Sequence, residues 1–276
     1  QYFLPLLRFP ARWPVTQPER TMTKERFDLL LIGMVALAAV VFAALYFVRA
    51  GYGLLRDGRW GPKIDNRIGW ILMEAPVFLA MTALCLCSPR RNEAAPLVFF
   101  ALFQLHYLHR AFIYPMLFKS RSAMPLGIVA MGIAFNLLNA CMQGGWIFYV
   151  APEGYYTNEW LLSPQFLAGT AVFFAGMAIN IHSDRIIRRL RKPGDTAHYL
   201  PRGGMFRYVT SANYFGEIVE WTGFAILTWS ASGAVFALWT FANLVPRADA
   251  IYKRYAELFG DELRKERRKR VIPFIY

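Results

Sequence analysis

The sequence predicts an all-α, polytopic membrane protein: seven transmembrane helices in one bundle, forming a single domain over residues 1–276. Three observations predict it. The chain is 56% apolar and 16% aromatic but only 18% charged, against roughly 25% charged in an ordinary soluble domain. Its apolar residues gather into runs close to the roughly 20 residues a helix needs to cross a hydrocarbon core. Between those runs lies a basic surplus, 31 Lys+Arg against 18 Asp+Glu, for a net charge of +13. The apolar excess excludes a disordered chain, and three cysteines over 276 residues exclude a disulfide scaffold. A soluble nucleic-acid binder would explain the charge but not the apolar runs, so the expected partner is the lipid bilayer and not nucleic acid.

Residues 1–26 mix Pro, Arg and aromatics and receive no role. They do not read as a signal peptide, because Arg8 and Arg12 follow the short apolar run at once. Phe27 to Val48 is the first clean span, with Asp28 at its edge. Further spans are predicted at Ile68–Leu86, Ala95–Phe118, Pro125–Val150, Pro164–Ile181, Tyr214–Trp229 and Ala231–Val245. The last two, parted by Ser230-Ala231-Ser232-Gly233, read as a tight helical hairpin. Lys and Arg in short loops set orientation. The stretch Asp184–Ala212 carries Arg185, Arg188, Arg189, Arg191, Lys192, Arg202 and Arg207, and the tail carries Arg264, Lys265, Arg267, Arg268, Lys269 and Arg270. Ala151–Ser163 has Glu153 and Glu159 and no basic residue. Loop 184–212 and the C-terminus are therefore expected in the cytoplasm and the N-terminus outside, although the basic N-terminal stretch opposes this. A bacterial inner membrane and the endoplasmic reticulum fit equally.

Ionisable groups at bilayer depth are costly and point to a functional interior. Glu74 lies mid-span, two residues before Pro76, which removes a backbone donor and predicts a local bend. A purely structural reading pairs Glu74 with an arginine on a neighbouring span. Span three carries Gln104, His106, Tyr107, His109, Arg110 and Tyr114. His106, Arg110 and Tyr114 recur at steps of four, and Tyr107 joins Gln104 at a step of three. Polar residues on more than one face predict a span enclosed by protein and lining a cavity; snorkelling to an interface suits Arg110 better than Tyr107. Metal is not expected. His106-x-x-His109 is a weak signal with only His182 and His198 elsewhere, and Cys85-x-Cys87 reads as ordinary thiols in an apolar span. No G-x-G-x-x-G occurs, so a Rossmann nucleotide site is not supported.

The mouths of spans five and six carry a denser constellation. Asn180 and Asp184 stand one turn apart, followed by Arg188, Arg189, Arg191 and Lys192. Gly203-Gly204 ends that loop, Asn213 and Glu217 repeat the four-residue step, and Glu220 lies a turn deeper. Arg247 and Tyr255 close the set beyond span seven. Amides and carboxylates suit a nucleobase or carboxamide, and guanidinium groups bind phosphates bidentately. The arginine run alone reads as topology and anionic-lipid contact; combined with Asn, Asp and Glu at both mouths it points to an anionic nucleotide.

At these residues the sequence resembles the steroid 5α-reductase family. Asn-Ile-His-Ser-Asp at 180–184, Leu-Arg-Lys-Pro-Gly at 190–194 and Pro-x-Gly-Gly-x-Phe at 201–206 match its C-terminal signature. So do Ser-Ala-Asn-Tyr-Phe-Gly-Glu-Ile-Val-Glu-Trp at 211–221 and Ile-Pro-Phe-Ile-Tyr at 272–276. Upstream, Trp70…Glu74-x-Pro76 and His106-Tyr107-x-His109-Arg110 also match, so the resemblance runs over residues 65–276. Distant relatives, among them sterol reductases and isoprenylcysteine methyltransferases, share only the Asn-Tyr-x-Gly-Glu patch. They commonly have Arg-His-Pro before it, where this chain has Thr210-Ser211-Ala212.

The resemblance implies a seven-helix membrane enzyme that uses NADPH to reduce the Δ4 double bond of a 3-oxosteroid, with hydride to C5 and a proton to C4. It places Tyr107 and Glu74 at the C3 carbonyl as the catalytic pair and Trp70 beside the steroid. Asn180, Asp184, Arg191, Asn213, Glu217, Arg247 and Tyr255 fall on cofactor-contacting positions, with Arg110 and Arg121 as additions. Lys119-Ser120-Arg121 departs from the family's Arg-x-Arg, which favours Arg121 of the two, and Ile251, where some members have His, receives no role. A phenol backed by a protonated carboxyl in an apolar cavity would stabilise the enolate that forms on hydride delivery. The same pair fits any conjugated carbonyl, so a polyprenal or enoyl thioester is the sister reading. A membrane methyltransferase using S-adenosylmethionine and a non-enzymatic sterol-binding protein are readings from other classes. The methyltransferase has no need of several arginines, and the sterol binder no use for the polar constellation.

Overall fold

The computed structural model describes residues 23–48, 60–119, 122–190 and 197–276. Among them are seven long helices: α1 (Lys24–Phe47), α2 (Asn66–Leu86), α3 (Ala94–Met116), α4 (Leu126–Val150), α5 (Pro164–Arg189), α6 (Ala212–Thr228) and α7 (Ala231–Glu266). Side-chain oxygens start several of them. Asp65 Oδ1 accepts from Arg67 N at 2.8 Å ahead of α2, and Ser230 Oγ accepts from Gly233 N at 3.0 Å ahead of α7. Helix α2 is continuous through Pro76.

Five helices, α1 to α5, are long and apolar enough to cross a membrane. Helix α6 is only 17 residues long and carries Asn213, Glu217 and Glu220. Helix α7 differs from the expectation. It does not stop at Val245 but runs through Pro246 to Glu266, with a kink at Phe259 (φ −136°, ψ 35°). The expected end marked where Arg247 and Asp249 bring charge into the helix; apolarity ends there and helicity does not. The predicted hairpin at 230–233 is present. Trp229 closes α6 in the left-handed conformation (φ 45°), and Ser230 caps α7 directly. The all-α expectation holds apart from one small sheet: β1 (Lys63–Asp65) pairs antiparallel with β2 (Ala123–Pro125) at the entrances of α2 and α4.

The most extensive helix interface joins α5 and α6, and glycine explains it. Gly169 and Gly176 on α5 face Gly223 and Gly216 on α6, two pairs at a seven-residue step. A methyl at Gly176 would overlap the Glu220 backbone, and one at Gly216 the Asn180 backbone. Without a hydrophobic force between helices in lipid, such close backbone approach is what association rests on. Around this seam the core is aromatic. Trp221, Phe224, Phe103 and Phe173 are all fully buried, and Trp221 meets Phe236 of α7 edge-on at 4.5 Å.

The C-terminal residues fold back under α6 and α7. Thr210 N donates to Lys269 O at 2.9 Å, Ser211 N to Arg270 O at 3.1 Å, and Val271 N to Tyr276 O at 2.8 Å. The tail arginines are thus not all solvated. Arg268 is buried, pairs with Glu266 and donates to Pro201 O at 2.5 Å. Arg270 meets Asp249 Oδ1 at 2.5 Å and lies over the rings of Tyr252 and Tyr276.

Candidate active site

Helices α2, α3 and α4 meet around Tyr107 and Glu74. Tyr107, buried on α3, packs on Phe103 (4.8 Å) and Trp221 (5.9 Å). Its hydroxyl accepts from Asn139 Nδ2 of α4 at 3.0 Å. Glu74, half-buried on α2, accepts at Oε2 from Asn136 Nδ2 of α4 at 3.1 Å, and the same nitrogen donates to Met73 O at 2.7 Å. No direct ion pair forms at Glu74 among the described residues, but the charge of Arg110 on the neighbouring α3 acts on it, so the structural reading stands beside the functional one.

Immediately after Tyr107 the helix widens into a π-helical segment, Leu108–Ile113. Such segments are rare, and they re-aim side chains. The predicted steps of four along α3 hold across it: His106 and Arg110 both meet carboxylates of α6, and Arg110 lies over Tyr114. His106 Nδ1 meets Glu220 Oε1 of α6 at 2.8 Å, both groups buried. Arg110 turns to Asp184 Oδ2 at 3.5 Å and Glu217 Oε2 at 3.7 Å. Its guanidinium lies over the rings of Trp70 (4.4 Å) and Tyr114 (4.9 Å), which meet each other edge-on at 5.4 Å. Gln104 does not share a site with Tyr107; it donates to Phe78 O at 3.0 Å and Thr82 Oγ1 at 2.7 Å on α2. His106 and His109 do not converge either. Among the described residues no group of three or more His, Cys, Asp or Glu is arranged for a metal ion.

The glycine seam brings the two span mouths into direct contact. Asn180 Nδ2 donates to Asn213 O at 2.9 Å, and Asn213 Nδ2 returns to Asp184 Oδ1 at 3.1 Å. Asp184 and Glu217 then converge on Arg110, which reaches Trp70 on the other side. The two predicted groups, beside Glu74 and at the mouth, are therefore joined through one buried guanidinium. The contacts of Arg110 are longer than the roughly 2.7–2.9 Å of a charge-assisted hydrogen bond, which leaves its N–H groups capacity for a further acceptor. Arg188 lies over Tyr114 at 5.6 Å, and Arg247 over Tyr214 at 5.6 Å. Tyr255 stands two turns past Arg247, its ring 6.1 Å from Phe259. Arg121 and Arg191 lie outside the described residues.

The turn between the mouths depends on glycine. Gly203 (φ 86°) and Gly204 (φ 50°) both lie in the left-handed region, and a Cβ on Gly204 would fall 2.7 Å from His182 Cε1. Sequence reading missed the α4 amides and the His106–Glu220 pair. Asn136, Asn139 and Gln143 recur at steps of three and four in an otherwise apolar span, and that periodicity was the available signal. All three are buried, and Gln143 donates to Ser232 O at 2.9 Å.

The arrangement suits reduction of a polarised double bond. The Tyr107 phenol lies against the aromatic core, α4 amides link it with the Glu74 carboxyl, and the amides and carboxylates around Arg110 stand on the neighbouring helices. Comparison with known proteins points the same way. The family model described as 3-oxo-5-alpha-steroid 4-dehydrogenase matches residues 122–276. The chain is 37% identical over 254 residues to the steroid 5-alpha-reductase DET2 of Gossypium hirsutum, covering 91% of this chain and 97% of that one. It is 39% identical over 244 residues to the 3-oxo-5-alpha-steroid 4-dehydrogenase 1 of Homo sapiens, covering 87% and 92%. With the DET2 of Arabidopsis thaliana the identity is 37% over 264 residues, covering 94% and 100%.

Proposed function

Because the chain belongs to the 3-oxo-5-alpha-steroid 4-dehydrogenase family and is an oxidoreductase acting on a CH–CH bond, we propose that it reduces the Δ4 double bond of 3-oxosteroids of the testosterone or progesterone type to 5α-dihydro products. The observation that carries this reading is the pairing of Tyr107 with Glu74 inside an aromatic-lined interior adjoining a cationic mouth. When hydride adds at C5, the electron pair of the double bond moves toward C4 and onto the C3 oxygen. The Tyr107 hydroxyl meets that oxygen, Glu74 supports it, and Trp70 borders the steroid. A hydrogen bond that strengthens as charge develops lowers the barrier and not merely the ground state. A proton delivered at C4 restores the ketone.

NADPH supplies the hydride when bound. Asn180, Asp184, Asn213, Glu217, Arg247, Tyr255 and Arg110 would hold it, together with Arg121 and Arg191. Three features support the fit. Ser183 Oγ, Ser211 Oγ and Arg188 Nη1 are buried without a hydrogen-bond partner among the described residues, all beside the mouth. Buried polar atoms rarely stay unsatisfied unless a ligand or water completes them. The amides and guanidiniums also match the carboxamide, nucleobase and phosphates of a dinucleotide.

In the same reading α6 and the first half of α7 enter the membrane as a hairpin, which makes seven spans. The basic stretch 184–212 and the C-terminus lie in the cytoplasm and the N-terminus outside. The distribution of arginines supports this orientation. The test is purified protein with NADPH and progesterone, scored for the 5α product and NADPH oxidation. Turnover with one product per NADPH consumed is expected. Tight NADPH binding without turnover would move the substrate to another conjugated carbonyl, and absence of NADPH binding would overturn the reductase reading.

A further inference from the structure

Tyr107 and Glu74 share a neighbour that the reaction scheme leaves unused. On α4, Asn136 and Asn139 stand one turn apart on one buried face, and each presents an amide nitrogen to one member of the pair, at 3.1 Å and 3.0 Å. These bonds have a sense. The Met73 carbonyl can only accept, so the Asn136 atom 2.7 Å from it must be the NH2 group. Glu74 Oε2 is bonded by that same nitrogen, so Oε2 is an acceptor and a proton on Glu74 resides at Oε1. At Tyr107 the Asn139 nitrogen faces the phenol oxygen at 3.0 Å while Asn139 Oδ1 is buried without a hydrogen-bond partner among the described residues; in this orientation the N–H occupies a lone pair of the phenol and the phenol hydrogen points elsewhere.

We propose that Asn139, seconded by Asn136, is a positioning residue that sorts the protons of the pair, keeping the Tyr107 hydrogen free for the substrate oxygen. An oxygen that accepts one hydrogen bond donates its own hydrogen more strongly, because bonds in a chain polarise one another. Asn139 is wholly buried and touches the reaction only through Tyr107. This inference rests on the assignment of Tyr107 as the donor to the carbonyl.

The test uses full-length protein in detergent or nanodiscs and four variants: Asn139→Leu, Asn139→Asp, Tyr107→Phe and Asn139→Asp with Tyr107→Phe. Asn139→Asp keeps the shape of the side chain but substitutes an acceptor for the donor, so its carboxylate captures the Tyr107 hydrogen. Asn139→Leu is expected to lower kcat about tenfold and Asn139→Asp at least as much. KM for the steroid and Kd for NADPH should stay within about twofold, as for a group acting only in the transition state. In the Tyr107→Phe background Asn139→Asp should cost nothing further. A wild-type kcat in Asn139→Asp would overturn the proposal, since it would mean that Tyr107 already donates to Asn139. An equal loss with and without the phenol hydroxyl would overturn it too, by revealing a packing effect. If Asn139→Leu no longer binds NADPH, the isosteric Asp variant decides alone. Wild-type turnover in Tyr107→Phe would instead sink the assignment of Tyr107, a separate outcome from the failure of Asn139.

Discussion

Tyr107, Glu74 and Arg110 lie within apolar helices, and each is engaged by protein: Asn139, Asn136, and the Asp184–Glu217 pair. That engagement separates roles. On the proposed roles, Tyr107→Phe and Glu74→Gln remove the groups that meet the C3 oxygen, and each should lower kcat about 100- to 1000-fold, the usual cost of one oxyanion donor. NADPH affinity, measured by fluorescence or calorimetry, should barely change. Arg188→Ala should do the reverse and weaken NADPH binding about tenfold on the proposed reading, because it removes a cation whose Nη1 is buried without a hydrogen-bond partner among the described residues. Equal loss of cofactor binding in all three variants would refute this division. At this scale the sequence was legible where a residue was conspicuous. Glu74 and Arg110 stand out in apolar spans by charge alone. Asn136 and Asn139 do not, because an amide carries no charge, and only their three-residue recurrence marks them.

Among the elements, the α5–α6 seam sets the geometry of the mouth. The Asn180–Asn213–Asp184 bonds form only because Gly216 lets the backbone of Asn180 approach. Gly216→Ala should therefore cost about 1–3 kcal/mol of stability and weaken NADPH binding, since a helix pushed outward carries Asn213 with it. A thermal melt together with a cofactor titration checks both. The extension of α7 makes a different prediction. Burial alone would push the Asp249 carboxyl up, but hydrogen bonds and charges from Lys253 (2.7 Å) and Arg270 (2.5 Å) hold it below its ordinary value of 3.8. A carboxylate depressed on folding stabilises the fold above its unfolded value and loses that contribution as pH falls through its folded one. Asp249→Asn should lower stability by about 1–2 kcal/mol at neutral pH, and the gap should narrow as pH falls below about 4. A pH series of melting temperatures gives the answer, and a gap that widens in acid would contradict it. The helix starts were legible from Asp65 and Ser230. The end of α7 was not, because hydropathy reports the membrane boundary and α7 passes through it without breaking. The π segment after Tyr107 has no sequence signature either.

For the molecule as a whole, the surplus of +13 separates into three uses. On the proposed topology some arginines orient the chain, while Arg110 meets Asp184 and Glu217, and Arg268 and Arg270 fasten the C-terminal turn. The orientation has a direct check. In a background lacking Cys85, Cys87 and Cys141, Glu153→Cys should react with a membrane-impermeant maleimide from outside, and Lys253→Cys only after the membrane is opened. The reverse pattern would invert the topology. Five spans were legible by hydropathy because their length and mean apolarity outweigh the few polar residues they carry, Glu74 and Arg110 among them. The α6–α7 hairpin carries the site's own polar residues, so the features that make it functional lower its apolar signal. The central claim is hydride addition to a conjugated ketone, and one measurement addresses it most directly. NADPH deuterated at C4 of the nicotinamide is turned over with progesterone, and the label is located in the product by NMR. Deuterium at C5 with solvent hydrogen at C4 is the predicted result. Label at C4, reduction of the C3 ketone with the double bond intact, or an unlabelled product would contradict it.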